Sequence, residues 1–264
     1  MKRMKAFLSI SLCALAMFLL LPPTAAIAGA PSLSEMIDQA GRQRMLTQRI
    51  VKAYSQLVIE VDTSEARDQL KKAVKLFAEQ LETIEQHAPN DDVRTALANV
   101  RRLWNPFRSI ATGPANREGI SLLLNSDDKL LAAAHEVVIK LQNSSGLVQA
   151  QLVNTAGRQR MLSQRIAKFY VLISSGMQDA RLREELQRAR YEFEGALADL
   201  KATPENTLEI QQGLAEVERQ WIVFRMSFQL KDDEHIPLLV TRSAEKILTQ
   251  MNRVTGMYAQ LDVS

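Results

Sequence analysis

Apolar residues recur at intervals of three and four along nearly the whole chain, the spacing that lines one face of an α-helix. The spacing predicts a first helix over residues 34–60, with Leu46, Ile50, Ala53 and Leu57 inward. Ser34 is placed to cap it, and Glu35 and Asp38 suit its positive end. After a break at Asp62-Thr63-Ser64, a second helix runs to about His87 through Leu70, Val74, Phe77, Leu81 and Ile84. Ala88-Pro-Asn90 reads as a turn. A third helix, from about Asp91 to Ile110, carries Val93, Leu97, Val100, Trp104 and Phe107 inward, with a kink expected at Pro106. Beyond Thr112-Gly-Pro114 a fourth helix spans about Arg117 to Leu141. The plan then repeats over 147–174, 178–201, 205–229 and 238–260, with breaks near Ser175-Gly176, Thr203-Pro204 and His235-Ile-Pro237. No alternating Val/Ile/Thr-rich run predicts a strand. Four amphipathic helices joined by short loops make an up-down bundle. The expectation is therefore an all-α protein of two tandem four-helix bundles, residues 29–142 and 143–264. Asn143-Ser-Ser-Gly146 is either a linker or part of one continuous helix. A continuous helix stacks the bundles end to end; a bend lays them side by side.

The halves are also related residue by residue. Ala40-Gly-Arg-Gln-Arg-Met-Leu-Thr-Gln-Arg-Ile-Val-Lys-Ala-Tyr54 returns 116 positions later as Ala156-Gly-Arg-Gln-Arg-Met-Leu-Ser-Gln-Arg-Ile-Ala-Lys-Phe-Tyr170, identical at 12 of 15 positions. Outside this block mostly apolar anchors correspond: Leu70, Phe77 and Leu81 with Leu186, Phe193 and Leu197, then, one insertion later, Trp104 and Phe107 with Trp221 and Phe224. Packing tolerates any apolar residue of about the right size, so it explains those anchors. It does not explain three matched arginines inside the block.

Residues 1–28 read as a secretory signal, which changes the charge balance. Lys2, Arg3 and Lys5 precede the apolar run Ala6–Leu21, and Ala26-Ile-Ala28 fits the small-x-small cleavage pattern. A cut after Ala30 fits the pattern too but leaves Pro31 next to it. The expectation is an exported, periplasmic protein. The overall +3 charge comes from the leader; the remainder holds 30 basic and 30 acidic residues. That balance argues against a nucleic-acid partner. The single cysteine, Cys13, lies in the leader, so the mature chain offers no disulfide, thiolate metal site or cysteine nucleophile.

On a helix turning about 100° per residue, Arg42 and Arg49 point toward solvent and Gln43 points nearly into the core. Arg44 lies on a shoulder of the apolar face, over Thr47, Gln48 and Val51. Arg160, Ser163, Gln164 and Ala167 are the equivalents. A guanidinium, a hydroxyl and an amide beside an apolar seam suit a small planar oxyanion, because arginine offers a rigid fork of donors and stays charged.

The repeated Ala-Gly-Arg-Gln-Arg-Met-Leu-(Ser/Thr)-Gln-Arg-Ile block is similar to the N-terminal segment of the PilJ-type sensor domain. That domain opens type IV pilus chemotaxis transducers and is related to the periplasmic domain of nitrate/nitrite sensor kinases. In those kinases the first helices of two subunits face each other, and the arginine matching Arg44 and Arg160 binds the anion. The resemblance implies Arg44 and Arg160 as anion ligands, with Gly41 and Gly157 permitting close backbone approach and Thr47, Ser163, Gln48 and Gln164 alongside. The chain differs from the nitrate sensors at Gln43 and Gln159, where they carry leucine, and at Arg42 and Arg158; the Arg-Gln-Arg version is that of the PilJ-type domains.

The expected function is an exported sensor-type module that binds a small, nitrate- or nitrite-like anion and acts with a separate membrane receptor or transporter. The alternative is a helical interaction protein whose motif helices form a homodimer or partner seam without a small ligand. No cofactor, metal site or catalytic constellation is expected. His87, His135 and His235 fall at unrelated points of the two units, and Asp232-Asp-Glu-His235 reads as a charged loop. Trp104 and Trp221 read as core, and the methionines as core filler.

Overall fold

A computed structural model describes residues 30–145, 148–177, 179–230 and 235–261; the expected secretory signal of residues 1–28 and the acidic residues Asp232–Glu234 lie outside them. Eight α-helices and no strand occur among the described residues. α1 (Leu33–Val58), α2 (Thr63–Gln86), α3 (Asp91–Ala111) and α4 (Arg117–Ser145) form the first bundle. α5 (Val148–Ser174), α6 (Ala180–Lys201), α7 (Leu208–Met226) and α8 (Pro237–Ala259) form the second, with a 3-10 turn at Ser227–Gln229 closing α7.

The helices begin where side chains can take up their free N–H groups. α1 is capped by Ser32, not Ser34: the Ser32 hydroxyl accepts the Glu35 N–H at 3.2 Å, and the Glu35 carboxylate accepts the Ser32 N–H at 2.7 Å. This reciprocal pair satisfies two orphan donors at once. Asn90 caps α3 through the Val93 N–H, Asp179 caps α6 through Arg181 N–H, and Thr207 caps α7 through Ile210 N–H. α7 therefore starts at Leu208, three residues later than its apolar pattern implies. Asp62 stands at the start of α2 with φ of 50°, but its side chain makes no cap bond; its carboxylate receives the Arg242 guanidinium of α8 at 3.2 Å. α3 continues through Pro106 to Ala111.

One continuous apolar cluster fills both bundles. Trp104 stacks on Phe77 at 3.9 Å in the first, and Trp221 lies against Phe193 at 4.4 Å in the second. Each such side chain contributes about 1.5–3 kcal/mol through burial. The bundles lie side by side, because α1 and α5 pack against each other along their lengths. α1 and α5 both run antiparallel to α4 and so parallel to each other: on α1, Arg44 meets His135 of α4, and Tyr54 meets Asn116 just before its start. α5 is antiparallel to α4: Lys168 pairs with Asp127, and Asn154 with Gln142.

Four ion pairs cross between the bundles in matching places. Lys52 and Arg49 of α1 share Glu245 of α8, both at 2.5 Å. Lys168 of α5 holds Asp127 of α4 at 2.5 Å, and Arg165 holds Asp128 at 2.9 Å. Lys168 and Asp127 are both buried. Burial pushes the Asp127 carboxyl up and the Lys168 ammonium down, each opposed by the charge of the other.

Candidate functional site

The repeated block is buried almost completely. From Ala40 to Tyr54 only Arg42 and Arg49 keep appreciable exposure, and from Ala156 to Tyr170 only Arg158 and Arg165 do. The cause is the seam: α1 is covered by α2, α4 and α5, and α5 by α6, α8 and α1. The two tyrosines that close the block play the same part. Tyr54 donates its hydroxyl to the Pro114 carbonyl at 2.9 Å and accepts the Asn116 N–H at 3.3 Å. Tyr170 does the same with the Ser227 carbonyl and the Ile236 N–H. Each fixes the end of a motif helix to the loop that starts the fourth helix of its bundle.

At the centre of the seam the two predicted arginines converge. Arg44 is 2% exposed and Arg160 fully buried. A β-carbon added to Gly41 would lie 3.4 Å from the Nη2 of both arginines. One added to Gly157 would lie 3.1 Å from Arg160 Nη2 and 3.4 Å from Arg44 Nη2. The glycines thus leave room for the guanidiniums themselves to lie between the helices.

The partners of the two arginines differ, and the repeat makes the difference readable. Arg160 forms an ion pair with Asp38 at 2.7 Å and donates to the Asn252 side-chain oxygen at 3.3 Å. In the equivalent places Arg44 meets Asn154, through its backbone carbonyl at 3.4 Å, and His135 Nδ1 at 3.0 Å. Asp38 and Asn154 correspond at the repeat interval, as do His135 and Asn252 one residue later. Asp38 also receives Arg42 at 2.8 Å. Two guanidiniums therefore share a buried seam with one carboxylate, and among the described residues Arg44 has no acidic partner. Burial, then the charges of Arg160 and Arg158, pull Arg44 down to about 9, so it stays charged at neutral pH. Burial also lowers Arg160, against the pull of Asp38, and lowers His135, reinforced by Arg44. A neutral His135 accepts from Arg44 at Nδ1 and keeps its proton on Nε2.

Arg44 opens onto a cavity of about 250 Å³ whose walls include His135, Arg158, Leu131, Met161 and Leu162. Arg158 is held there by Glu192 at 2.7 Å. The other residues singled out in the sequence sit beside this centre and are turned elsewhere. The Thr47 hydroxyl donates to the Gln43 carbonyl and the Ser163 hydroxyl to the Arg160 carbonyl, both at 2.9 Å within their own helices. Gln164 donates to the Ala244 carbonyl at 3.3 Å. Gln48 is fully buried and its amide has no hydrogen-bond partner among the described residues. His135, Asp38, Asn154 and Asn252 were not foreseen; the signal available was the change of residue type between repeat-related positions. Among the described residues no group of three His, Cys, Asp or Glu is placed to hold a metal ion, and no helix is long and apolar enough to cross a membrane.

The model of the family described as the type IV pili methyl-accepting chemotaxis transducer N-terminal domain, PilJ, matches residues 26–130 and again 141–256. The chain belongs to this family and carries two copies of its domain in tandem, one per bundle. It is thus built from sensor modules of the chemotaxis-transducer kind, a type of domain typically outside the cytoplasm. No curated protein and no solved structure matches the chain.

Proposed function

We propose that the protein is an exported, non-enzymatic sensor module that takes up a small anion at Arg44 and passes the bound state to a separate receptor or transporter. The reading is carried by one observation: Arg44 is buried and charged, has no carboxylate partner among the described residues, and lines a cavity. An unpaired buried charge is costly, and a monoanion beside Arg44 removes that cost while gaining charge-assisted hydrogen bonds. Nitrate and nitrite are the first candidates, from the kinship of the motif. α1 and α5 face each other within one chain, so the seam that the family resemblance assigns to two subunits is here internal.

A second reading has its own support. Arg160 is matched by Asp38, and nearly every motif side chain is covered by protein, as a packing seam without a ligand would require. Thermal unfolding of the mature protein in low salt with nitrate, nitrite, formate, sulfate and phosphate separates the two. A ligand at a hundredfold excess over its Kd adds about 2.7 kcal/mol to folding, a shift of several degrees at this size. The sensor reading expects that shift with one anion and its loss in Arg44→Gln. No shift with any anion leaves the seam reading alone.

A further inference from the structure

The two modules carry a cleft at the same place, and only one is filled. In the first module it lies between the end of α1, the outer face of α2 and the loop after α3, and has a volume of about 520 Å³. In the second it has shrunk to about 90 Å³. The walls correspond along the repeat: Leu57 with Ile173, Arg67 with Arg183, Leu70 with Leu186. The difference is made at two positions. Ala111 is replaced by Phe228, which packs on Trp221, Phe224 and Tyr170 at ring-centroid distances of 6.1, 5.4 and 6.0 Å. Gly113 is replaced by Leu230, which also lines the small cleft. The first module thus keeps open a space that its sister fills from within.

The open cleft has one chemical character on its floor and another on its rim. Leu57, Leu70, Val74 and Ala78 make an apolar floor. Arg67, Lys71 and Lys75 stand along one stripe of α2, four residues apart, and Arg108 faces them from α3. Among the described residues Arg67, Lys71 and Arg108 have no ion-pair partner, and Lys75 has only Glu79 at 3.6 Å. In the second module the same stripe reads Arg183, Gln187 and Tyr191; Arg225 keeps the place of Arg108, and Arg190, in the place of Val74, lies over the Phe228 ring at 4.3 Å and helps to close the cleft. Lys71 and Lys75 are thus absent from the second copy, and the open volume is lost with them. The volume lies within the roughly 300–1,000 Å³ of small-molecule sites. An inorganic oxyanion would leave the apolar floor uncovered, and a neutral hydrocarbon would leave the cationic rim unmatched.

We propose that this cleft is a second binding site, for a medium-chain carboxylate: an apolar chain lying on Leu57, Leu70 and Val74, with its carboxylate at Arg67, Lys71 and Arg108. Leu57 stands 13 residues beyond Arg44 on α1, about 20 Å along the helix, so this site is separate from the anion site and stands or falls independently of it.

The test is calorimetric titration of the mature protein with decanoate below its micellar concentration, with decan-1-ol, acetate and anionic phospholipid vesicles as separate arms. The expected result is one decanoate per chain, no binding of acetate, and weaker binding of decanol. Ala111→Phe and, independently, Gly113→Leu copy the second module into the first and should abolish binding while thermal unfolding shows the fold intact. Lys71→Glu should weaken decanoate about tenfold, the loss of one charge-assisted bond, and leave decanol unchanged. Absence of decanoate binding, equal affinity in either filled variant, equal affinity for decanol, or vesicle binding unaffected by filling the cleft would each overturn the proposal.

Discussion

Replacing Lys168 with methionine keeps most of the volume of its stem and removes the charge that faces Asp127 across the two bundles. Both groups are buried, 1% and 2% exposed at their side chains, so Asp127 has no water to turn to. Breaking a buried pair from one side costs about 3–5 kcal/mol. An independent ceiling comes from protonation, since an orphaned carboxylate can take a proton instead of staying charged. From an ordinary value near 3.9, that costs about 4 kcal/mol at pH 7, at about 1.36 kcal/mol per pH unit. The two routes agree, and at about 2–4 °C per kcal/mol for a chain of this size the variant should melt about 8–16 °C below the parent. The sign of the pH dependence follows. In the variant the folded Asp127 lies above its unfolded value, so between those values the folded state binds the extra proton and stability falls as pH rises. Burial already raises Asp127 in the parent, so the deficit should shrink, by at most about 1.4 kcal/mol per unit, as pH falls from 7 toward the parent's own value. Urea unfolding at pH 5 and pH 7 measures it, and Lys168→Met with Asp127→Leu should recover most of the loss. A melting loss under about 2 °C at pH 7, or one that does not change with pH, would refute the argument by showing that Asp127 reaches solvent without Lys168.

Three other outcomes follow from the seam. Arg44→Met should raise the ligand-free melting point, by about 1 kcal/mol or more of added stability, because it removes a buried cation that lacks a counter-charge; differential scanning calorimetry checks it. Relative to that variant, the parent should gain stability as pH rises above about 9, where unfolded Arg44 still holds a proton that the folded form releases. Asp38→Asn should cost about 3 kcal/mol without ligand, since it orphans Arg160, yet bind the anion more tightly in calorimetric titration because a second guanidinium is freed. Gly119→Ala should destabilise by about 1–3 kcal/mol in urea unfolding, because its β-carbon would fall 1.9 Å from the Tyr54 hydroxyl oxygen, which is tied to two backbone groups.

The helices were legible because their apolar period is regular, and Arg44 could be told from Arg42 by 200° of helical rotation alone: Arg42 stays partly exposed and Arg44 does not. The cap of α1 lies two residues before Ser34, which is itself in the first turn of the helix: only Ser32 stands three before Glu35, as the reciprocal cap needs. The burial of the polar motif residues was not legible. Periodicity finds the face turned to a bundle's own core, and Lys52, Gln48 and Lys168 look like solvent-facing residues until a second bundle covers them. Nor was His135, 91 positions from Arg44, since nothing local ties it to the motif. The side-by-side arrangement depended on α5 running antiparallel to α4, a choice that the sequence around Asn143 leaves open.

Joining the two modules in one polypeptide removes association from the problem. Separate subunits would assemble only above their dissociation constant, whereas a short tether sets an effective concentration in the millimolar range, so the central pocket exists at any dilution of the protein. It also lifts a genetic constraint. In a homodimer every substitution at the axis appears twice, and an aspartate opposite one arginine is an aspartate opposite both. Here Asp38 and Asn154 have diverged, as have His135 and Asn252. The fused pair can therefore evolve one charged half-site and one neutralised half-site.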